Sequence, residues 1–121
     1  MASTRIDTAM SGHEAINLVK QLWEDHGKLY RIIFLDCEMP VMSGYECSLK
    51  INEFVDGLKQ LVGLTQNERQ SLDSGCAIVA VSGYVGQSHE EKCKKHGMQQ
   101  ILGKPPSDQK IKQILKDKEF M

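Results

Sequence analysis

Arg31-Ile32-Ile33-Phe34-Leu35-Asp36-Cys37-Glu38-Met39-Pro40-Val41-Met42-Ser43-Gly44-Tyr45-Glu46 begins as an unbroken apolar run and stops at a carboxylate. A run without polar alternation suits a strand buried on both faces of a parallel sheet, here Arg31 to Leu35. Asp36 then lies just past the strand end. Pro40 and Gly44 punctuate the loop that follows. A long helix is expected next, with Leu49, Phe54, Leu58 and Leu61 inward.

The same alternation extends in both directions. Upstream, Ser3 to Ala9 reads as a short strand, with Ile6 and Thr8 on one face. Ser11 and Glu14 have capping-box spacing, Ala15, Val19, Leu22 and Trp23 recur at helical spacing, and Gly27 closes the helix. Downstream, Thr65 and Glu68 form a second capping box that opens a short helix ending near Gly75. Cys76 to Val81 is a second buried strand. Ser88 opens a charged helix closed by Gly97, and Gln100 to Leu102 is a brief strand. Ser107 caps a last helix with Ile111, Ile114 and Leu115 inward. Strand and helix thus alternate four times, which predicts parallel strands, right-handed crossovers and helices on both faces. Ligand sites in such sheets lie at the carboxyl ends of the strands, and Asp36, Ser82 and Lys104 all fall there.

A carboxylate in that position can attack phosphorus and form an acyl phosphate. Because both reactants are anionic, cations and hydrogen-bond donors must surround the transferring oxygens. Lys104 supplies charge and Ser82 a hydroxyl. Backbone N–H groups after Asp36 and in the Ser82-Gly83 turn supply further donors.

Asp36-Cys37-Glu38-Met39-Pro40-Val41-Met42-Ser43-Gly44-Tyr45-Glu46 resembles the motif around the phospho-acceptor aspartate of two-component receiver domains. Ala80-Val81-Ser82-Gly83 is similar to that family's hydroxyl-bearing turn. Gly103-Lys104-Pro105 is similar to its lysine-proline pair, whose peptide bond is commonly cis. Residues 6–15 resemble its second strand and following helix. The resemblance covers nearly the whole chain, residues 1–121, as one domain. It implies an α/β, flavodoxin-like, doubly wound parallel sheet. It also implies Asp36 as phospho-acceptor, Ser82 and Lys104 as phosphoryl-binding groups, and Ile101 at the family's aromatic switch position. The implied Mg²⁺ would be held by Asp36 and the Glu38 backbone carbonyl, and the phosphate donor would be a histidine kinase or histidine phosphotransfer domain. Catalysis is expected to extend at most to self-phosphorylation and autodephosphorylation at Asp36.

Two departures stand out. The family's first strand ends in an acidic metal-binding pair, but the 35 residues before Asp36 are taken by the second strand, its helix and the third strand. Asp7 lies inside the second-strand match, so no acidic pair remains. The chain is therefore expected to lack the family's first strand and first helix. It would then be a fragment, such as the receiver of a hybrid histidine kinase, or complete its sheet with another chain, as a homo-oligomer or with a rearranged N-terminus. The second departure is extra surface sequence at about 57–75. The missing pair gives weight to a non-phosphorylated, receiver-like interaction module as the alternative function.

Composition excludes several other classes. The 121 residues are 40% hydrophobic and 26% charged, with a formal net charge of -1, so no global pull toward nucleic acid or anionic membrane exists. The lysines between Lys92 and Lys118 read as a solvated face. Cys37, Cys47, Cys76 and Cys93 show no C-x-x-C spacing, which suits a reduced, cytoplasmic chain. No apolar run reaches membrane-spanning length. His89, Cys93 and His96 share a helical face that could bind zinc, though without a fourth ligand in reach. An aspartate-nucleophile phosphatase of the haloacid-dehalogenase type would need D-x-D, which Glu38 breaks.

Overall fold

In the computed structural model, residues 9, 11–39, 41–83 and 86–117 are described. The elements run α1 (Gly12–His26), β1 (Ile32–Asp36), α2 (Gly44–Lys59), α3 (Gln66–Ser74), β2 (Ala77–Ser82), α4 (Gln87–Lys95), β3 (Gln100–Gly103) and α5 (Asp108–Asp117). The expected strand at Ser3 to Ala9 falls almost wholly outside the described residues. The three described strands are parallel in the order β1-β2-β3.

Local sequence accounts for the helix ends. Ser11 accepts a hydrogen bond from the Glu14 amide, and Gly27 ends α1 in the left-handed conformation at φ 62°. Thr65 and Glu68 form a complete capping box at the start of α3. Ser107 accepts from the Lys110 amide at the start of α5. At α4 the expectation shifts: the helix begins at Gln87 behind Gly86, with no side-chain cap, so Ser88 lies inside its first turn.

Alternation along β2 divides the core into two layers. Ile78 and Ala80 face a large cluster built from α1, α2, α3 and Cys93 of α4. Val79 faces a smaller one with Leu102 and Ile114 of α5. Helices therefore cover both faces of the sheet, and β2 is buried as the sequence predicts. In β1 only Leu35 is buried, and Phe34 is 39% exposed. Among the described residues β1 has a partner strand, β2, on one side only, so its apolar run is half-covered rather than enclosed.

The inward face of α2 also differs from expectation. Cys47, Ser48, Ile51, Val55 and Leu58 are buried. Leu49 is 39% exposed, and Leu61, at 48%, lies beyond the helix end. The cause is a polar contact that sets the helix rotation. Ser48, fully buried, donates to the His96 carbonyl at 2.7 Å and so satisfies the C-terminal end of α4. Residues 47, 48, 51, 55 and 58 then share the inner face, and Leu49 is turned away.

Gly44 starts α2 where the chain comes back over the end of β1. Its amide donates to the Cys37 carbonyl at 3.2 Å. A Cβ there would overlap the Asp36 carbonyl oxygen and lie 2.8 Å from Cys37 Cα. Both are backbone atoms that cannot swing aside. Gly44→Ala should therefore destabilise the domain by about 1–3 kcal/mol despite alanine's better helix propensity, worth at most ~1 kcal/mol. A lower denaturant midpoint at unchanged slope is the expected readout.

Candidate functional site

Register brings the three strand ends level. Asp36 pairs with Val81, and Ser82 pairs with Gly103. The ladder continues one step further: the Cys37 amide donates to the Val81 carbonyl and the Lys104 amide to the Ser82 carbonyl, both at 2.9 Å. Asp36, Ser82 and Lys104, distant in sequence, therefore meet at one rim of the sheet. The Lys104-Pro105 peptide is cis.

Lys104 Nζ donates to Asp36 Oδ1 at 2.7 Å, and the Glu38 amide donates to the same oxygen at 2.8 Å. Among the described residues, Asp36 Oδ2 accepts no hydrogen bond. Burial pushes the Asp36 carboxyl up, but Lys104 and the Glu38 amide outweigh it and hold the group below its usual range. Lys104 is raised, first by its hydrogen bond to Asp36.

The Glu38 side chain has a role that sequence reasoning missed. Only its backbone carbonyl was expected at the site, yet its carboxylate folds across to β2. Oε2 accepts from Ser82 Oγ at 3.0 Å, and Oε1 accepts from the Gly83 amide at 2.7 Å. Lys104 Nζ lies 3.4 Å from Oε1. Burial raises the Glu38 carboxyl, but the Gly83 amide, Ser82 hydroxyl and Lys104 together lower it. Three donors aimed at one carboxylate form a small oxyanion pocket beside Asp36. The missed signal is positional: a long acid two residues past one strand end can reach the turn of the adjacent strand.

The described residues by themselves do not complete a Mg²⁺ site. Mg²⁺ demands near-octahedral oxygen coordination. The described residues bring two carboxylates here, and both are already paired with Lys104. Among the described residues, Asp36 belongs to no group of three potential metal ligands.

The helical triplet His89, Cys93 and His96 does not assemble. His96 Nδ1 lies 2.7 Å from the Lys92 carbonyl of its own helix. Cys37 takes its place, with one ligand atom each from Cys37, His89 and Cys93 lying within 4.8 Å of one another. All four cysteines are free thiols. Among the described residues, no helix is long and apolar enough to cross a membrane.

The chain matches no family profile. It is 31% identical over 111 residues to hybrid signal transduction histidine kinase L of Dictyostelium discoideum, which covers 92% of this chain and 6% of that protein. The chain thus spans only a small part of this relative. Among solved structures it is similar to the Mg²⁺-bound receiver domain of the histidine kinase CKI1 from Arabidopsis thaliana. There the identity is 28%, the TM-score 0.63, and coverage 90% of this chain and 70% of that one. It is also similar to a chain in the Saccharomyces cerevisiae complex of the histidine phosphotransfer protein Ypd1 with the receiver domain of Ssk1. That match has 25% identity, a TM-score of 0.68, and coverage of 95% and 71%.

Replacing Lys104 tests the electrostatics described above. In Lys104→Met the Asp36 carboxyl should titrate at clearly higher pH, because the lysine is its main lowering influence. Glu38 should move less, since Gly83 and Ser82 still hold it. Depressed carboxyls contribute stability above their unfolded values, about 3.9–4.3, and lose it as pH falls through their folded values. The variant should therefore show a flatter fall in stability below about pH 4. Side-chain carboxyl NMR titration and acid unfolding curves measure both effects.

Proposed function

The chain belongs to the receiver domains of two-component signalling, and from that premise we propose that it accepts a phosphoryl group from a phosphohistidine onto Asp36. The supporting observation is the oxyanion pocket itself. Ser82 Oγ, the Gly83 amide and Lys104 Nζ converge on a carboxylate next to Asp36, and a phosphoryl oxygen needs donors of the same kinds.

In this reading Asp36 Oδ2 attacks phosphorus. The O–P bond forms as the P–N bond of the phosphohistidine breaks, and the electron pair stays on the imidazole nitrogen, which takes up a proton. Lys104, already beside Asp36, neutralises charge on the transferring group. Ser82 and Gly83 bind its oxygens. Any Mg²⁺ assistance needs acidic ligands beyond those the described residues provide, so no step is routed through it. The donor is a histidine kinase or a histidine phosphotransfer domain, and the exchange takes place in the cytoplasm, in keeping with four unpaired thiols. Self-phosphorylation from a small phospho-donor and later hydrolysis of the acyl phosphate at Asp36 would be its catalytic activities.

The output surface is placed on α4, β3 and α5. A groove of about 370 Å³ runs between them, lined by Met98, Ile101, Leu102 and Ile114 with Lys94 and Lys110 at its rim. Pulling Ser82 and Lys104 toward a phosphoryl group acts directly on the ends of β2 and β3, which support this groove.

Incubation with acetyl phosphate and Mg²⁺ followed by intact-mass measurement should show addition of one phosphoryl group that is lost in Asp36→Asn. No addition, or addition that survives that substitution, would exclude the acceptor role and favour a phosphate-independent interaction module. Glu38 sets a second expectation, because its carboxylate holds the donors the phosphoryl group needs. Removing a competitor of roughly 1 kcal/mol corresponds to about a fivefold gain. Glu38→Gln should therefore be phosphorylated several-fold faster than the unaltered chain under the same conditions, and an equal or slower rate would remove Glu38 as a competitor.

A further inference from the structure

We propose that Cys37, His89 and Cys93 form a zinc-binding site that ties α4 to the loop following Asp36.

The ligand atoms come from two segments. His89 and Cys93 are one helical turn apart on α4, so their side chains share a face. Cys37 approaches from the end of β1. Cys93 Sγ and His89 Nε2 lie 3.9 Å apart, and all three ligand atoms lie within 4.8 Å of one another. Tetrahedral zinc with ligands at about 2.0–2.3 Å sets neighbouring ligand atoms roughly 3.3–3.8 Å apart. Closing the triad onto one ion thus takes side-chain shifts of an ångström or less and no rearrangement of the fold.

The surroundings also suit a metal. The Tyr45 hydroxyl lies 2.9 Å from His89 Nδ1 and 3.0 Å from Nε2. Once Nε2 turns onto the ion beside Cys93, the same hydroxyl is in reach of Nδ1, as the outer contacts of ligating imidazoles are. Tyr45 is held in turn by Lys92, whose Nζ lies 4.2 Å from its ring centre. Cys37 and Cys93 are almost completely buried, at 2% and 1% exposed. Two thiolates in such a place need compensation, and one Zn²⁺ supplies equal and opposite charge. Binding releases the two thiol protons to solvent. His89 is only half-buried and gives the ion a way in from the surface. Soft thiolate donors with an imidazole favour zinc over Mg²⁺ or Ca²⁺.

The site stands apart from the acceptor reading, since its ligands include none of Asp36, Glu38, Ser82 and Lys104. The test uses the whole reduced, chelator-stripped chain, titrated with Zn²⁺ against a chromogenic competitor and separately with Co²⁺. One ion per chain is expected, with thiolate-to-cobalt charge-transfer absorption and tetrahedral visible bands. Cys93→Ser and His89→Gln should each weaken binding by about 100-fold or more, and Tyr45→Phe by about tenfold. His89 is half-exposed on a surface helix, so His89→Gln keeps the test valid if a buried cysteine variant unfolds. Cys76→Ser should bind as the unaltered chain does. Absence of the cobalt thiolate band overturns the site. So does equal affinity in His89→Gln, or a Cys37–Cys93 disulfide forming in a chain that takes up no zinc when reduced.

Discussion

Parallel register between three strands is the constraint on which the rest of this molecule depends. Asp36 opposite Val81 and Ser82 opposite Gly103 bring the strand ends level, and the amides of Cys37 and Lys104 extend the ladder past them. A slip of one residue would turn every side chain of a strand to the opposite face. Ile78 and Ala80 would then leave the larger core layer, and Ser82 would no longer reach the Glu38 carboxylate. The buried residues of β2 penalise any such slip heavily, so the core that stabilises the sheet also aligns the chemistry at its rim.

At that rim one ammonium faces two carboxylates. Lys104 bonds Asp36 closely and Glu38 more loosely. Both acids are held below their ordinary range. The partly exposed pair adds little stability in screened solvent. Its consequence is placement: one oxygen of Asp36 is fixed by two donors, and the donors of the neighbouring turn are held in position by Glu38. The pocket is organised around an anion before any ligand arrives, and Glu38 is both its template and its competitor.

The loop that carries these groups is tightly bounded. Gly44 allows the start of α2 to lie against the Asp36 carbonyl. Val41, between them, adopts φ 68° and is 96% exposed. A β-branched residue in the left-handed region is strained by about 1–2 kcal/mol, and it gains no packing in exchange. Cys37 and Tyr45 in the same segment reach α4 through His89 and Cys93. The segment therefore touches both the phosphoryl pocket and the helix beside the proposed output groove.

Much of this was readable in the chain. Helix caps at Ser11, Thr65 and Ser107 follow from short-range hydrogen bonding, and the glycine stops follow from steric freedom. The apolar runs at Ile32–Leu35 and Cys76–Val81 name the strands, and alternation with helices makes them parallel. Strand ends then single out Asp36, Ser82 and Lys104. Other features needed the folded molecule. Periodicity alone could not rotate α2, because the buried Ser48–His96 bond decides that Ile51 and not Leu49 faces inward. The apolar run of β1 could not reveal that Phe34 would be half-covered, since coverage belongs to its neighbours. A helical face suggested His96 beside Cys93, whereas the sheet brings Cys37 there instead. The Glu38 carboxylate could be placed only once a strand more than 40 residues away offered it a hydroxyl and an amide. Local geometry is written in neighbouring residues, so the sequence by itself determined the elements and the candidate triad. Contacts between distant segments depend on register and packing of the whole, so only the tertiary structure decided which groups share the site and in what charge state.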